Sequence, residues 1–114
     1  LYGTEACPVL SRHKHSFDYV VTRVLMKILH TKSAAIVEEC QRYFSFLPSR
    51  LRIDIGTARF LDRFVKTESD VCNSFYVIAR KQLLDILVKY GITDVTKSHV
   101  LKNIIKEGFL NGDL

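Results

Sequence analysis

The sequence predicts an all-α fold, about five helices in a small bundle behind a short extended N-terminal segment. Three observations predict it. Apolar residues recur at three- and four-residue spacing through most of the 114 residues. No stretch alternates apolar and polar residues for long, so nothing reads as a half-buried strand. Both prolines and most of the five glycines fall between the periodic stretches, where they punctuate helices.

The first ten residues, with Gly3 and Pro8, read as extended or irregular. Phe17, Val20, Val21, Val24, Leu25, Ile28 and Leu29 then follow helical spacing, with Ser11 or Ser16 available as a cap. The opposite side carries Asp18, Thr22, Arg23 and Lys27, and the apolar stripe is expected to be purely structural. A second helix is expected over Ser33 to Phe44, with Ile36, Val37, Cys40, Tyr43 and Phe44 inward and Glu38, Glu39 and Arg42 outward.

Leu47-Pro48-Ser49 ends that helix, because a residue before proline is pushed out of helical conformation. Pro48 is tolerated near the start of a third helix, where Leu51, Ile55, Ala58, Leu61, Phe64 and Val65 repeat. Gly56 weakens this helix or lets a neighbour approach. A fourth helix is expected from Asp70 to Tyr90 on one stripe of Cys72, Phe75, Tyr76, Ala79, Leu83, Ile86, Leu87 and Tyr90, closed by Gly91. The last is expected over Val95 to Lys106, preceded by Thr93 or Asp94 and followed by Gly108.

At this length the chain is a single small domain able to bury about two-thirds of its unfolded surface. Lys and Arg number 17 against 12 Asp and Glu, a formal charge of +5. Residues 1–66 hold eleven basic and six acidic residues and residues 67–114 six of each, so the whole excess lies in the first part. Such a charge suits an anionic partner such as nucleic acid, and equally serves solubility. Arg23, Lys27, Arg80 and Lys89 interrupt the apolar runs, so no membrane span is expected. No basic stretch followed by an apolar run opens the chain, which reads as an internal or truncated piece without a signal peptide. Cys7, Cys40 and Cys72 are odd in number and widely spaced, which fits a reducing compartment, cytoplasm or nucleus.

The residues nominate no catalytic set. All three cysteines lie beside apolar residues, and Cys40 and Cys72 are expected in the core. His13 and His15 flank Lys14 without further metal-ligand spacing and read as solvated. Asp18, Glu38, Glu39, Asp54 and Asp62 read as ordinary surface charge. There is no glycine-rich phosphate loop. What remains is basic: Arg12, Lys14, Arg23, Lys27 and Lys32 on or beside the first helix, then Arg50, Arg52, Arg59 and Arg63 in the third. Arg23 with Lys27, and Arg59 with Arg63, are four apart and share helix faces able to follow a phosphate backbone. A solvated helix face accounts for the same pattern.

Leu1-Tyr2-Gly3-Thr4-Glu5-Ala6-Cys7-Pro8 is followed by Ser16-Phe17-Asp18-Tyr19-Val20-Val21-Thr22-Arg23 and Met26-Lys27-Ile28-Leu29-His30-Thr31. Then come Glu39-Cys40-Gln41, Phe44-Ser45-Phe46, Leu47-Pro48-Ser49 and Arg59-Phe60-Leu61-Asp62-Arg63-Phe64. In order and approximate spacing these resemble the end of the reverse transcriptase region of LINE-type non-LTR retrotransposons. The resemblance covers residues 1 to about 66, thins over 67–90 and is absent after Gly91. One residue fewer than usual separates the Phe-rich turn from Leu-Pro-Ser.

The resemblance implies that residues 1–90 are a thumb-side segment following the polymerase palm, with 91–114 an additional helix or diverged tail. It implies a role in holding the template–primer RNA–DNA hybrid, with the missing palm as the other partner. Arg23 and Lys27 would meet phosphates, flanked by Arg12, Lys14 and Lys32, while Tyr2 and Gly3 would support the turn from palm to thumb. The polymerase chemistry needs paired aspartates holding Mg²⁺, and no Asp-Asp occurs in this chain. No enzymatic activity and no cofactor are therefore expected of this piece alone. The alternatives are a helical protein-interaction module, or an inactive retroelement remnant that binds no nucleic acid.

Overall fold

A computed structural model describes residues 10–114, and every regular element among them is helical. In chain order these are α1 (Ser11–Ile28), α2 (Ala34–Tyr43), α3 (Ser49–Lys66), α4 (Asp70–Ser74), α5 (Tyr76–Lys89), a 3₁₀ turn (Val95–Val100) and α6 (Leu101–Leu110). Leu10 is extended, and the rest of the expected N-terminal segment, including Tyr2, Gly3 and Cys7, lies outside the described residues.

Local chemistry explains most boundaries. Ser33 caps α2 by accepting from the Ile36 N–H, and Ser69 caps α4 by accepting from the Cys72 N–H. Asp94 starts the 3₁₀ turn by accepting from the Thr96 N–H at 3.0 Å. At α1 the cap position falls on Leu10, which offers no side-chain acceptor. The expected helix over Asp70 to Tyr90 is broken at Phe75, whose φ and ψ of −108° and 8° leave the helical region. Asn73 and Ser74 are weak helix formers, and the Ser74 hydroxyl donates back to the Asp70 carbonyl at 2.8 Å, a bond that bends helices. The last helix is shifted from its expected span: Val95–Val100 form a 3₁₀ turn, and α6 runs from Leu101 through Gly108 to Leu110, with Gly112 at its end.

Four helices end by one device, an N–H bonded to the carbonyl five residues earlier across a residue of positive φ. The bonds run from Thr31 to Met26, Phe46 to Gln41, Ile92 to Leu87 and Asp113 to Gly108. Gly91 and Gly112 fill the positive-φ position after α5 and α6, whereas His30 and Ser45, both at φ 54°, fill it after α1 and α2. An L side chain is strained there, so the first two helices end at a cost the last two avoid.

The core is built by α3, α5 and the C-terminal segment. Leu51, Ala58 and Leu61 of α3 meet Ala79, Leu83 and Leu87 of α5, and Ile92, Leu101, Ile105 and Phe109 complete the cluster. The segment after Gly91 thus contributes α6 to the same core. Cys40 and Cys72, expected inside, are only half-buried.

α1 and α2 depart most from expectation. Val20, Val24 and Ile28 are 57%, 50% and 64% exposed, and Phe17, Ile36, Tyr43 and Phe44 also face solvent. The inward side of α1 is instead the row Lys14, Asp18, Val21, Leu25 and Leu29, all half-buried. The apolar stripe of α1 is wider than the contact the fold makes with it. Two polar contacts to α3, Lys14 with Asp54 and Asp18 with Arg50, set which part faces in.

Candidate nucleic-acid interface

Asp54 of α3 is 3% exposed, a correction to its reading as surface charge. Its carboxylate accepts from Lys14 Nζ of α1 at 2.7 Å, from Lys89 Nζ of α5 at 2.9 Å and from the Tyr90 hydroxyl. Burial alone would raise its carboxyl pKa. The bonds from Lys14, Tyr90 and Lys89 outweigh that and hold it below the usual 3.8. The same burial, together with the facing carboxylate, pushes the Tyr90 phenol up. One carboxylate therefore ties three helices.

Asp18 makes the second latch. Its Oδ1 accepts from the Arg50 backbone N–H at 3.2 Å and its Oδ2 from Arg50 Nη1 at 3.3 Å. Pro48, the residue before α3, has no side-chain acceptor for the first-turn N–H groups, and Asp18 supplies one from α1. A carboxylate there also meets the positive end of the α3 dipole. On the far side, Arg42 of α2 donates to the Phe109 carbonyl at 3.2 Å and pairs with Glu38 at 2.7 Å, joining α2 to the end of α6.

These latches fix the direction of the predicted basic residues. At about 100° per residue, Arg12, Arg23 and Lys27 fall within about 60° of one another on α1, and Lys14 lies about 180° from Arg23. Lys14, with its side chain 22% exposed, is engaged by Asp54, so it is separated from the other four. Arg12, Arg23 and Lys27 are exposed and face away from α3, and Lys32 is exposed in the connection to α2. Among the described residues, none of these four forms an ion pair or a side-chain hydrogen bond with an acidic residue. His13 and His15 are exposed.

Sequence reasoning placed Tyr90 on the inward stripe but missed the burial of Asp54, the bond Tyr90 donates to it, and the inward role of Asp18. The signal was present. Leu51, Asp54, Ala58 and Leu61 are spaced three, four and three apart, which puts the carboxylate inside the apolar stripe. Lys14, Asp18, Val21 and Leu25 are spaced four, three and four apart on the face that meets it.

No helix among the described residues is long and apolar enough to cross a membrane. The chain matches no family model, no curated protein and no solved structure.

Proposed function

We propose that this chain is a non-catalytic segment of a LINE-type retrotransposon reverse transcriptase, from the thumb side that follows the palm, and that it holds the template–primer RNA–DNA hybrid by its phosphates. The observation that carries this reading is the outward row of Arg12, Arg23 and Lys27 on α1, with Lys32 at its end. Cations held on one rigid helix displace the condensed counterions of a nucleic-acid backbone, and contacts of this kind set position without reading sequence. The Lys14–Asp54 and Asp18–Arg50 latches hold α1 in a fixed orientation, so the row is presented as a unit. On this reading the Mg²⁺-dependent polymerase chemistry belongs to the palm, and this segment keeps the duplex in place.

The test is binding of a labelled RNA–DNA hybrid across about 50 to 200 mM salt. Four phosphate contacts give a log–log slope of about −3 to −4, and Arg23→Glu with Lys27→Glu reduces its magnitude by about 2 while weakening affinity. A flat salt response, or a double variant that binds like the parent, contradicts the reading.

A second reading, a helical protein-interaction module, is favoured by the uncovered apolar band of Val20, Val24 and Ile28 beside the basic row. It predicts little salt dependence for any nucleic acid. Within the first reading the same band is where the palm would pack.

A further inference from the structure

Arg52, Arg59 and Arg63 of α3 fall within about 40° of one another, on a line that spans 11 residues or about 16 Å. All three are exposed. Arg63 lies about 180° around α3 from Asp54, and Arg52 and Arg59 lie about 140–160° from it. Asp54 is the residue that meets Lys14 of α1, and Lys14 in turn lies opposite Arg23. The Lys14–Asp54 pair therefore sits between two basic rows that point away from each other, one on each side of the α1–α3 layer.

The α3 side differs from the α1 side in shape. A cleft of about 280 Å³ runs between α3 and the start of α6, with Arg59 on one wall and His99 and Lys102 on the other. A second depression of about 250 Å³ is lined by Gly56, Arg59, Phe60 and Arg63, which puts the half-buried Phe60 ring beside the two arginines. Arg52 stands 4.7 Å from the centre of the Phe46 ring at the other end of the row. The carboxylate on this side, Asp62, is already engaged by Ser98 at 2.9 Å and Lys66 at 2.9 Å. It leaves the arginines free of an acidic partner among the described residues.

We propose that this face is a second nucleic-acid surface, and that it takes single-stranded RNA or DNA. A basic track beside aromatic rings is the arrangement that holds unpaired strands, with phosphates on the cations and bases against the rings. A straight duplex on the α1 row cannot reach a face turned the opposite way, so the two surfaces take separate strands or separate segments. The C-terminal segment thereby supplies Lys102 and His99 to a binding face as well as side chains to the core. The inference does not depend on the reading of α1, which the hybrid measurement tests by itself.

The test uses a labelled oligouridylate of about twelve nucleotides, within the range of site sizes for such surfaces. Arg59→Glu with Arg63→Glu is expected to weaken its binding at least about 10-fold and to reduce the magnitude of the log–log salt slope by about 1.4. Phe60→Leu, which keeps apolar volume against the core but removes the ring, is expected to weaken it about 5-fold or more. Arg23→Glu with Lys27→Glu is expected to weaken it by clearly less than the α3 pair does. Circular dichroism confirms that each variant keeps its helix content. Four results overturn the proposal: no binding of the oligouridylate by the parent chain, unchanged binding by the α3 variants, an equal loss in the α1 variant, or displacement of the RNA by oligoglutamate of the same charge.

Discussion

α1 and α5 both pack along α3, and they are held there by different physics. α5 buries Ala79, Leu83 and Leu87, with both leucines at 0% exposure, in a cluster shared with α3 and α6. Fully burying one such leucine stabilises the fold by about 1.5–3 kcal/mol. α1, from Arg12 onward, has no buried residue, and it is held by Lys14 on Asp54, Asp18 on Arg50 and a half-buried row of Val21, Leu25 and Leu29. Apolar burial is non-directional, whereas a carboxylate that caps a helix end or accepts two lysines fixes one orientation. The α5 side therefore supplies most of the stability, and the α1 side supplies a defined outward face.

The sharpest way to break this comparison is to remove a core side chain. Phe109→Ala should cost about 3–5 kcal/mol in denaturant unfolding, because the ring is fully buried. Val24→Ala on the outer side of α1 should change stability by no more than about 0.5 kcal/mol. Similar losses at the two positions would mean that α1 carries core packing after all.

The next largest effect falls on the latch. Asp54→Asn removes the charge that Lys14 and Lys89 face and should cost about 1–3 kcal/mol, with the loss concentrated in α1. Its pH signature is specific. Asp54 has a folded pKa below 3.8, so its contribution is present above that value and is lost as pH falls below 3.8 through the folded pKa. The parent chain should lose stability on acidification through that window more steeply than Asp54→Asn does. Parallel acid profiles would contradict the assignment.

A smaller effect, of opposite sign, separates the two halves of the chain by their helix ends. His30→Gly relieves a positive φ of 54° at the end of α1 and should raise stability by up to about 1 kcal/mol. Gly91→Ala, at φ 80° after α5, should lower it by a similar amount. Thermal unfolding of both variants checks the pair.

Much of the helical architecture was legible from periodicity, because α3, α5 and α6 carry apolar stripes that the fold covers. Gly91 was legible as the end of α5 because it directly follows the apolar stripe that closes at Tyr90, and it takes the positive φ of 80° that such an end requires. The face of α1 was not legible from hydrophobicity. Its stripe runs from Phe17 to Leu29 across nearly half the helix, and only the contacts of Lys14 and Asp18 choose which part turns inward. The break at Phe75 was hidden because the apolar spacing continues across it while local side-chain hydrogen bonds end α4. The candidate interface was legible as a set of basic residues, and its division was not. Lys14 leaves the set once Asp54 is buried, and the α3 row gains Lys102 and His99 only through tertiary packing.

Hydrogen exchange with and without an RNA–DNA hybrid tests the central claim most directly, that α1 is an oriented but lightly anchored helix whose outer face holds the duplex. In the free chain, amides of α1 should exchange faster than those of α3 and α5, and the hybrid should slow α1 more than any other helix. Free-state protection of α1 equal to that of α5, with no change on adding hybrid, would contradict it.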